Sequence, residues 1–323
     1  MFVNIRFLFL LFFTTAVFAE NYIDIYRHNG IKEVEKIFDN KLQNVSYWHN
    51  YLKDYNTTYG YFEKEKYIII ADKKSKKLKL FHTDEKGNLK ELFAKKIITG
   101  KDGEKKKEGD LITPLGTYKI VQRFVPKDSF YGPVAFALSY PNTFDELSGR
   151  DGHGIWIHGY PLDHEKRPPV TKGCMVLKND QLLDLNNTID PQNSFVIIHE
   201  NNLKPLSKDT VSSILAFVYR WKNAWKNNDI KKYLSFYSKD FKRYNGQNLI
   251  TFSNEKRRIF SRGDKKNIIF KHISILPYPN LENKPIYKLF FYEIYKTKHY
   301  SFKGNKELYI KIKNNHVKIF IEK

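Results

Sequence analysis

Cysteine is nearly missing from this chain: 323 residues contain one, Cys174. An intramolecular disulfide is therefore excluded, and any sulfur chemistry must rest on that single thiol. Acidic residues are also scarce, 35 against 56 Lys and Arg, for a formal net charge of +21. The shortage is uneven, because residues 206–323 hold 26 Lys and Arg against 9 Asp and Glu, a net of +17, and leave +4 for residues 1–205. Long apolar runs are missing as well. The stretch from Phe7 to Phe13 is shorter than the ~20 residues that span a bilayer, and no later stretch approaches that length. Internal repeats and low-complexity tracts are absent. Hydrophobic residues nevertheless make up 41% and aromatics 16%, which excludes wholesale disorder, and at roughly 100–200 residues per domain the length suggests two domains.

What is present begins with Arg6, the apolar run Phe7 to Phe13 and the small-residue pattern Val17-Phe18-Ala19. Together they read as a signal peptide over residues 1–19, with an uncleaved anchor as the alternative. The mature product is then exported, with no transmembrane segment after cleavage. Export sets nucleic acid aside as a partner for the basic third.

Apolar residues at helical spacing (Ile31, Val34, Ile37, Phe38, Leu42) predict a helical segment over residues 20–62. From Tyr67 the period is that of strands, and a turn over Asp84 to Asn88 makes this a β-meander ending near Ile98. Residues 100–110, GKDGEKKKEGD, read as a solvated connection. Further strands are expected at TPLGTYKI (Thr113 to Ile120), Val134 to Leu138, HGIWIHG (His153 to Gly159) and Ser194 to His199, with Asp180 capping a short helix through Leu185. These elements form a mostly-β domain over 63–203. Past a linker containing Pro205, residues 204–323 begin with helices, from Val211 to Trp225 and Ile230 to Phe236. Four strands follow, Ile268 to Leu276, Ile286 to Tyr295, Leu308 to Ile312 and Val317 to Ile321. Helices followed by an antiparallel sheet make an α+β module, and the fold class of the whole chain is α+β.

Chemistry concentrates in residues 153–178. Strand alternation puts Trp156 and His158 on one face and Ile155 and Ile157 in the core, so His158 is expected at a strand end, exposed on the polar face. Fifteen residues separate it from Cys174, stiffened by Pro161, Pro168 and Pro169, long enough to return the thiol to the histidine. Cys and His are the pair that thiolate nucleophilic catalysis needs. A free thiol with a pKa of ~8.5 is a few per cent ionised at neutral pH. Lowering that pKa to ~6 takes about 3.4 kcal/mol, within reach of a neighbouring imidazolium and backbone amides. Gly173, lacking Cβ, is expected to let its backbone approach a substrate and aim N–H groups at an oxyanion. On composition alone, a buried structural cysteine is an equal reading.

His158-Gly159, a loop, and Thr171-Lys172-Gly173-Cys174 together resemble the signature of YkuD-type L,D-transpeptidases, and TPLGTYKI is similar to that family's TPxGxY strand. The resemblance covers roughly residues 65–200. It implies Cys174 as nucleophile, His158 as general base and acid, the Gly159 carbonyl as the group orienting the imidazole, and a thioester with the peptidoglycan stem peptide. Val176 stands where the family usually has Arg or Asn, and Lys172 where it often has His. The substrate carboxylate contact therefore passes to Lys172, Lys178, Arg150 or Arg167, with Trp156 and Thr171 also at the substrate site. No cofactor and no metal is implied; a zinc set of His153, His158, His164 and Cys174 matches no common ligand spacing.

Signal, helical segment, YkuD-like domain and a basic module resembling the nuclear transport factor two-like fold look like the L,D-carboxypeptidases that set helical cell shape. This implies a periplasmic enzyme that removes terminal D-alanine from tetrapeptide stems. The alternatives are a crosslinking L,D-transpeptidase and a non-catalytic wall-binding scaffold. Peptidoglycan stem peptides are the expected partners, and the C-terminal domain is expected to meet an anionic glycan or a cell-shape protein.

Overall fold

The computed structural model describes residues 21–163, 168–314 and 316–323. The signal peptide expected over 1–19 lies outside these residues, as do His164 and Arg167. Among the described residues no helix is long and apolar enough to cross a membrane.

The N-terminal segment is helical as its spacing predicts: α1 covers residues 21–29, α2 is Ile31–Leu42 and α3 is Val45–Tyr51. Asn44 caps α3 by accepting the Ser46 N–H at 3.0 Å. The chain then enters a two-residue strand, β1 (Tyr61–Phe62), and the meander β2 (Tyr67–Asp72), β3 (Lys77–Thr83) and β4 (Leu89–Lys96). Next come β5 (Gly116–Phe124), β6 (Ala135–Leu138), α4 (Thr143–Leu147), β7 (Trp156–His158), β8 (Met175–Val176), α5 (Asn179–Thr188) and β9 (Ser194–His199). Asp180 does not cap α5. Lys178 occupies the N-cap without a side-chain bond, and Asp180 falls inside the first turn.

These strands make one eight-stranded sheet in the order β4-β3-β2-β9-β5-β6-β7-β8. Ile68 to Ala71 and the whole of β9 are buried, as continuous apolar runs require of central strands, and β2 and β9 pair in parallel. The sheet curls until its two ends meet: Ile98, just past β4, exchanges both backbone hydrogen bonds with Val176 of β8, at 3.0 and 2.9 Å.

The second half opens with α6 (Lys208–Lys226), capped by Ser207, whose hydroxyl accepts the Thr210 N–H at 3.1 Å. It continues through α7 (Ile230–Ser235), β10 (Tyr237–Arg243), α8 (Leu249–Phe260), β11 (Asn267–Pro277), β12 (Ile286–Lys296), β13 (Ser301–Lys313) and β14 (His316–Glu322). β10 and α8 are absent from the sequence reading. In β10, YSKDFKR, charge interrupts the strand period, and the spacing of α8 buries only Phe252 and Phe260. The six-stranded sheet runs β1-β11-β12-β13-β14-β10, so the residues just before the catalytic-type sheet belong to the other one, Tyr61 pairing with Ile275 and Phe62 with Ser274.

The seam between the sheets is filled. Phe62, Ile70, Phe195 and Leu276 form a small core, and the Lys119 ammonium sits 3.6 Å from the Phe290 ring centroid and 3.3 Å from Glu65. Tyr278 crosses the seam elsewhere: its hydroxyl donates to Asp145 Oδ1 at 3.2 Å and accepts from Asn142 Nδ2 at 3.0 Å. The two halves are thereby fixed to each other.

Candidate active site

β7 lies between β6 and β8, with His158 opposite Ala135 on one side and Val176 on the other. That interior position explains a departure from expectation: His158 is fully buried, not exposed on a polar face. Tyr131, from the turn before β6, covers it, ring centroids 5.0 Å apart at 75°. The imidazole Nδ1 lies 2.9 Å from the Gly159 carbonyl oxygen. A carbonyl only accepts, so Nδ1 carries the proton and the neutral ring keeps its lone pair on Nε2.

Gly159 is held from three directions. Its N–H donates to the Tyr131 carbonyl at 3.0 Å, and the next N–H, of Tyr160, donates to Asn179 Oδ1 at 2.8 Å. A Cβ on Gly159 would meet Asn179 Oδ1 at 2.2 Å, so the histidine is followed by glycine because the backbone passes too close to Asn179 for any side chain.

Cys174 arrives on the parallel neighbour. Ile157 pairs with Met175 and His158 with Val176, and the same register carried one residue back sets Cys174 beside Trp156, on the face His158 shares. The turn before it is stapled by Thr171, whose hydroxyl accepts the Gly173 N–H at 3.1 Å and donates to the Cys174 carbonyl at 2.7 Å. The Thr171 N–H donates in turn to the Thr99 carbonyl at 3.1 Å, which ties the nucleophile loop to the point where the sheet closes on itself. Gly173 has φ +121°, and a Cβ there would press on the Ile112 carbonyl and on Ile155, each at 3.0 Å. Two expectations are corrected here. The Gly173 amide is spent on Thr171 rather than aimed at an oxyanion, and Thr171 is a buried staple rather than a substrate contact. The Cys174 thiol donates to the Gly154 carbonyl at 3.4 Å, a bond that its ionisation forfeits.

Of the other candidates, Arg150 is turned inward. Its guanidinium pairs with Asp145 at 2.8 Å and Glu104 at 2.6 Å and is a tenth exposed, which removes it from the substrate face. Val176 is buried against Ile98, so this position offers no carboxylate contact. Lys172 and Lys178 are exposed near Cys174. Trp156 is half-buried, edge-on to both Phe124 and Tyr131 with centroids 5.0 Å away. His153 is largely exposed and faces Glu108 at 3.6 Å.

The loop over 100–110 is largely the solvated connection expected, with Lys101, Asp102 and residues 106–109 exposed. Lys105 departs from that reading: it is buried and pairs with Asp110 at 2.7 Å, and the Glu108 N–H donates to Asp151 at 2.6 Å. Burial works against ionisation of Asp110, yet Lys105 and the amides of Ile112, Lys106 and Lys107 outweigh it and lower its pKa to about 2. Sequence reasoning missed Tyr131, Asn179 and Thr99. Only the turn at Gly132-Pro133 hinted at a crossing there, and a side chain that fixes another's backbone leaves no periodic trace.

Residues 66–198 match the model of the L,D-transpeptidase catalytic domain, YkuD. Residues 213–323 match the Cds6 C-terminal NTF2-like domain. Among solved structures the chain is similar to the helical cell shape determining protein Pgp2 from Campylobacter jejuni, 41% identical with a TM-score of 0.82 over 87% of this chain and 99% of that one. It is also similar to Bd1075 from Bdellovibrio bacteriovorus, 25% identical with a TM-score of 0.66 over 84% of this chain and 97% of that one. No curated protein matches.

Proposed function

This chain belongs to the YkuD L,D-transpeptidase family, and from that membership we propose that it is a periplasmic peptidoglycan L,D-carboxypeptidase that trims tetrapeptide stems and so influences cell shape. The observation that carries the reading is the Nδ1 to Gly159 bond at 2.9 Å, on a strand paired with the one that Cys174 leads into. It fixes the tautomer of the imidazole on the sheet face that Cys174 shares, one pleat along from Trp156.

In the proposed reaction Nε2 of His158 takes the Cys174 proton, and the thiolate attacks the carbonyl that precedes the terminal D-alanine. The imidazolium returns its proton to the departing amine, leaving a thioester and free D-alanine. Water, deprotonated by the same Nε2, then adds to the thioester, and the thiol leaves with the proton. The proton stays on Nδ1, donated to the Gly159 carbonyl throughout, so that only Nε2 takes part in the exchange. Backbone amides other than that of Gly173 serve the oxyanion. Lys172 and Lys178, both exposed and two and four residues from Cys174 in the chain, are the cations this reading offers to a substrate carboxylate.

Hydrolysis is favoured over crosslinking through the resemblance to the L,D-carboxypeptidases that set helical cell shape, and similarity to a helical cell shape determining protein is consistent with that resemblance. Digestion of disaccharide tetrapeptide by the purified protein tests this directly. Disaccharide tripeptide and free D-alanine are expected; crosslinked dimers without free tripeptide would make the enzyme a transpeptidase.

A further inference from the structure

A cavity of about 420 Å³ opens at the seam between the two sheets, within the size range of ligand pockets. Neither His158 nor Cys174 lines it. Its walls are Leu115, residues 199–206, which leave β9 for α6, and residues 277–281 and 283–287, from the turn between β11 and β12. Three groups in these walls are left unsatisfied by the fold.

The first is His199, the last residue of β9. It is 7% exposed, and its Nδ1 is buried with no hydrogen-bond partner among the described residues. Burial lowers the pKa of the imidazole and favours its neutral form, which leaves Nδ1 a single donor or acceptor to offer. Buried polar atoms are normally paired, and an orphan of this kind calls for an explanation.

The second is backbone. Asn202 turns the chain with a φ of 51°, and Leu206 anchors it again by donating to the Thr58 carbonyl at 3.0 Å. Between them neither the N–H of Leu203 or Lys204 nor the C=O of Leu203, Lys204 or Pro205 is hydrogen-bonded to backbone among the described residues, and Pro205 has no N–H. Pro205 confines Lys204 to extended backbone. The result is a short strand edge with both donors and acceptors open, the element to which an extended peptide adds.

The third is charge. Lys204 is exposed and forms no ion pair among the described residues, whereas the other charges around the cavity are answered. Lys284 pairs with Glu282, and Glu200 pairs with Lys73 at 2.8 Å. An open cation beside an open strand edge selects an acidic peptide.

We propose that this seam cavity binds an extended, acidic segment of a partner protein, which adds as a short strand to Leu203–Pro205, hydrogen bonds His199 and pairs a carboxylate with Lys204. Regular strand addition requires L-residues alternating across the pleat, which favours a protein segment over a wall stem with its D-centres. The site is independent of the hydrolytic reading, since it uses no residue of the Cys174 site.

The test uses the full chain and two fluorescein-labelled probes, acetyl-Glu-Val-Glu-Val-Glu-amide and its lysine counterpart, read by anisotropy and by amide hydrogen exchange. The acidic probe is expected to bind saturably and to slow exchange at Leu203 and Lys204. Lys204→Glu should weaken it at least about tenfold, Lys204→Ala by less, while both variants keep full muropeptide turnover. Four results overturn the proposal: no saturable binding at millimolar probe, equal affinity for the lysine probe, protection confined to other residues, or displacement of the acidic probe by disaccharide tetrapeptide.

Discussion

In the first sheet, His158 and Thr171 direct their side-chain hydrogen bonds to backbone atoms, while in the second sheet Lys288, Lys306, Glu307 and Glu322 direct theirs to one another. The consequences differ. A side chain fixed by a backbone bond is oriented by it, as the Gly159 carbonyl orients the His158 ring. A buried ion pair saturates both partners. Burial opposes ionisation of Glu322, yet Lys306 and Lys256, with the Tyr237 hydroxyl, outweigh it and lower its pKa. Substitutions near Cys174 should therefore cost activity and leave the fold standing, and substitutions under the second sheet should cost stability.

The largest expected contrast comes from His158→Ala, which removes the general base. Turnover of disaccharide tetrapeptide should fall by about 10²–10⁴-fold, with the urea midpoint moving far less than the activity. Collapse of the fold in this variant would erase the distinction between the two regions. Lys306→Met tests the other side: it leaves Glu322, 2% exposed, without its partner at 2.5 Å, and breaking a buried pair costs about 3–5 kcal/mol. Urea denaturation should register that loss, while kcat per folded molecule stays unchanged.

Thr171→Val sits between these extremes. It removes one hydroxyl that serves both the Gly173 amide and the Cys174 carbonyl, leaving a buried amide unpaired at a cost of about 1–3 kcal/mol. Because the loop carries the nucleophile, kcat should drop with it, whereas Thr171→Ser should restore both.

The smallest effect concerns Asp110, whose folded pKa of about 2 lies below the ~3.9 of an unfolded aspartate. A carboxyl depressed on folding stabilises above its unfolded pKa and loses that contribution as pH falls through its folded one. The wild type should thus lose part of its stability between about pH 4 and about pH 2, and Asp110→Asn should flatten that segment of the curve. An equal slope in both proteins would mean that the Lys105 pair at 2.7 Å contributes nothing.

Much of this was legible in the sequence because it rests on local pattern. The meander, the buried run of β9 and the caps of α6 follow from periodicity and from residues a few positions apart. His158 and Cys174 were legible as a pair because two motifs in fixed order name them. What escaped depends on distant strands meeting. The burial of His158 comes from Tyr131, the inward turn of Arg150 from Asp145 and Glu104, and the role of Thr171 from a backbone turn that spacing alone does not reveal. Lys105 in the loop over 100–110 escaped for the same reason: a run of lysines reads as solvated, and this one is buried because the chain folds back onto Asp110. β1 shows the limit most plainly, since nothing in Tyr61 or Phe62 says that they pair with Ser274 and Ile275.

The central claim is that Cys174 is a nucleophile activated by His158, and replacing its sulfur by oxygen addresses that claim most directly. Cys174→Ser preserves size and the hydrogen bond to Gly154 but supplies a far weaker nucleophile. Release of D-alanine from disaccharide tetrapeptide should fall on the order of 10⁴-fold or more, with unchanged thermal unfolding. Release at the wild-type rate would contradict the account.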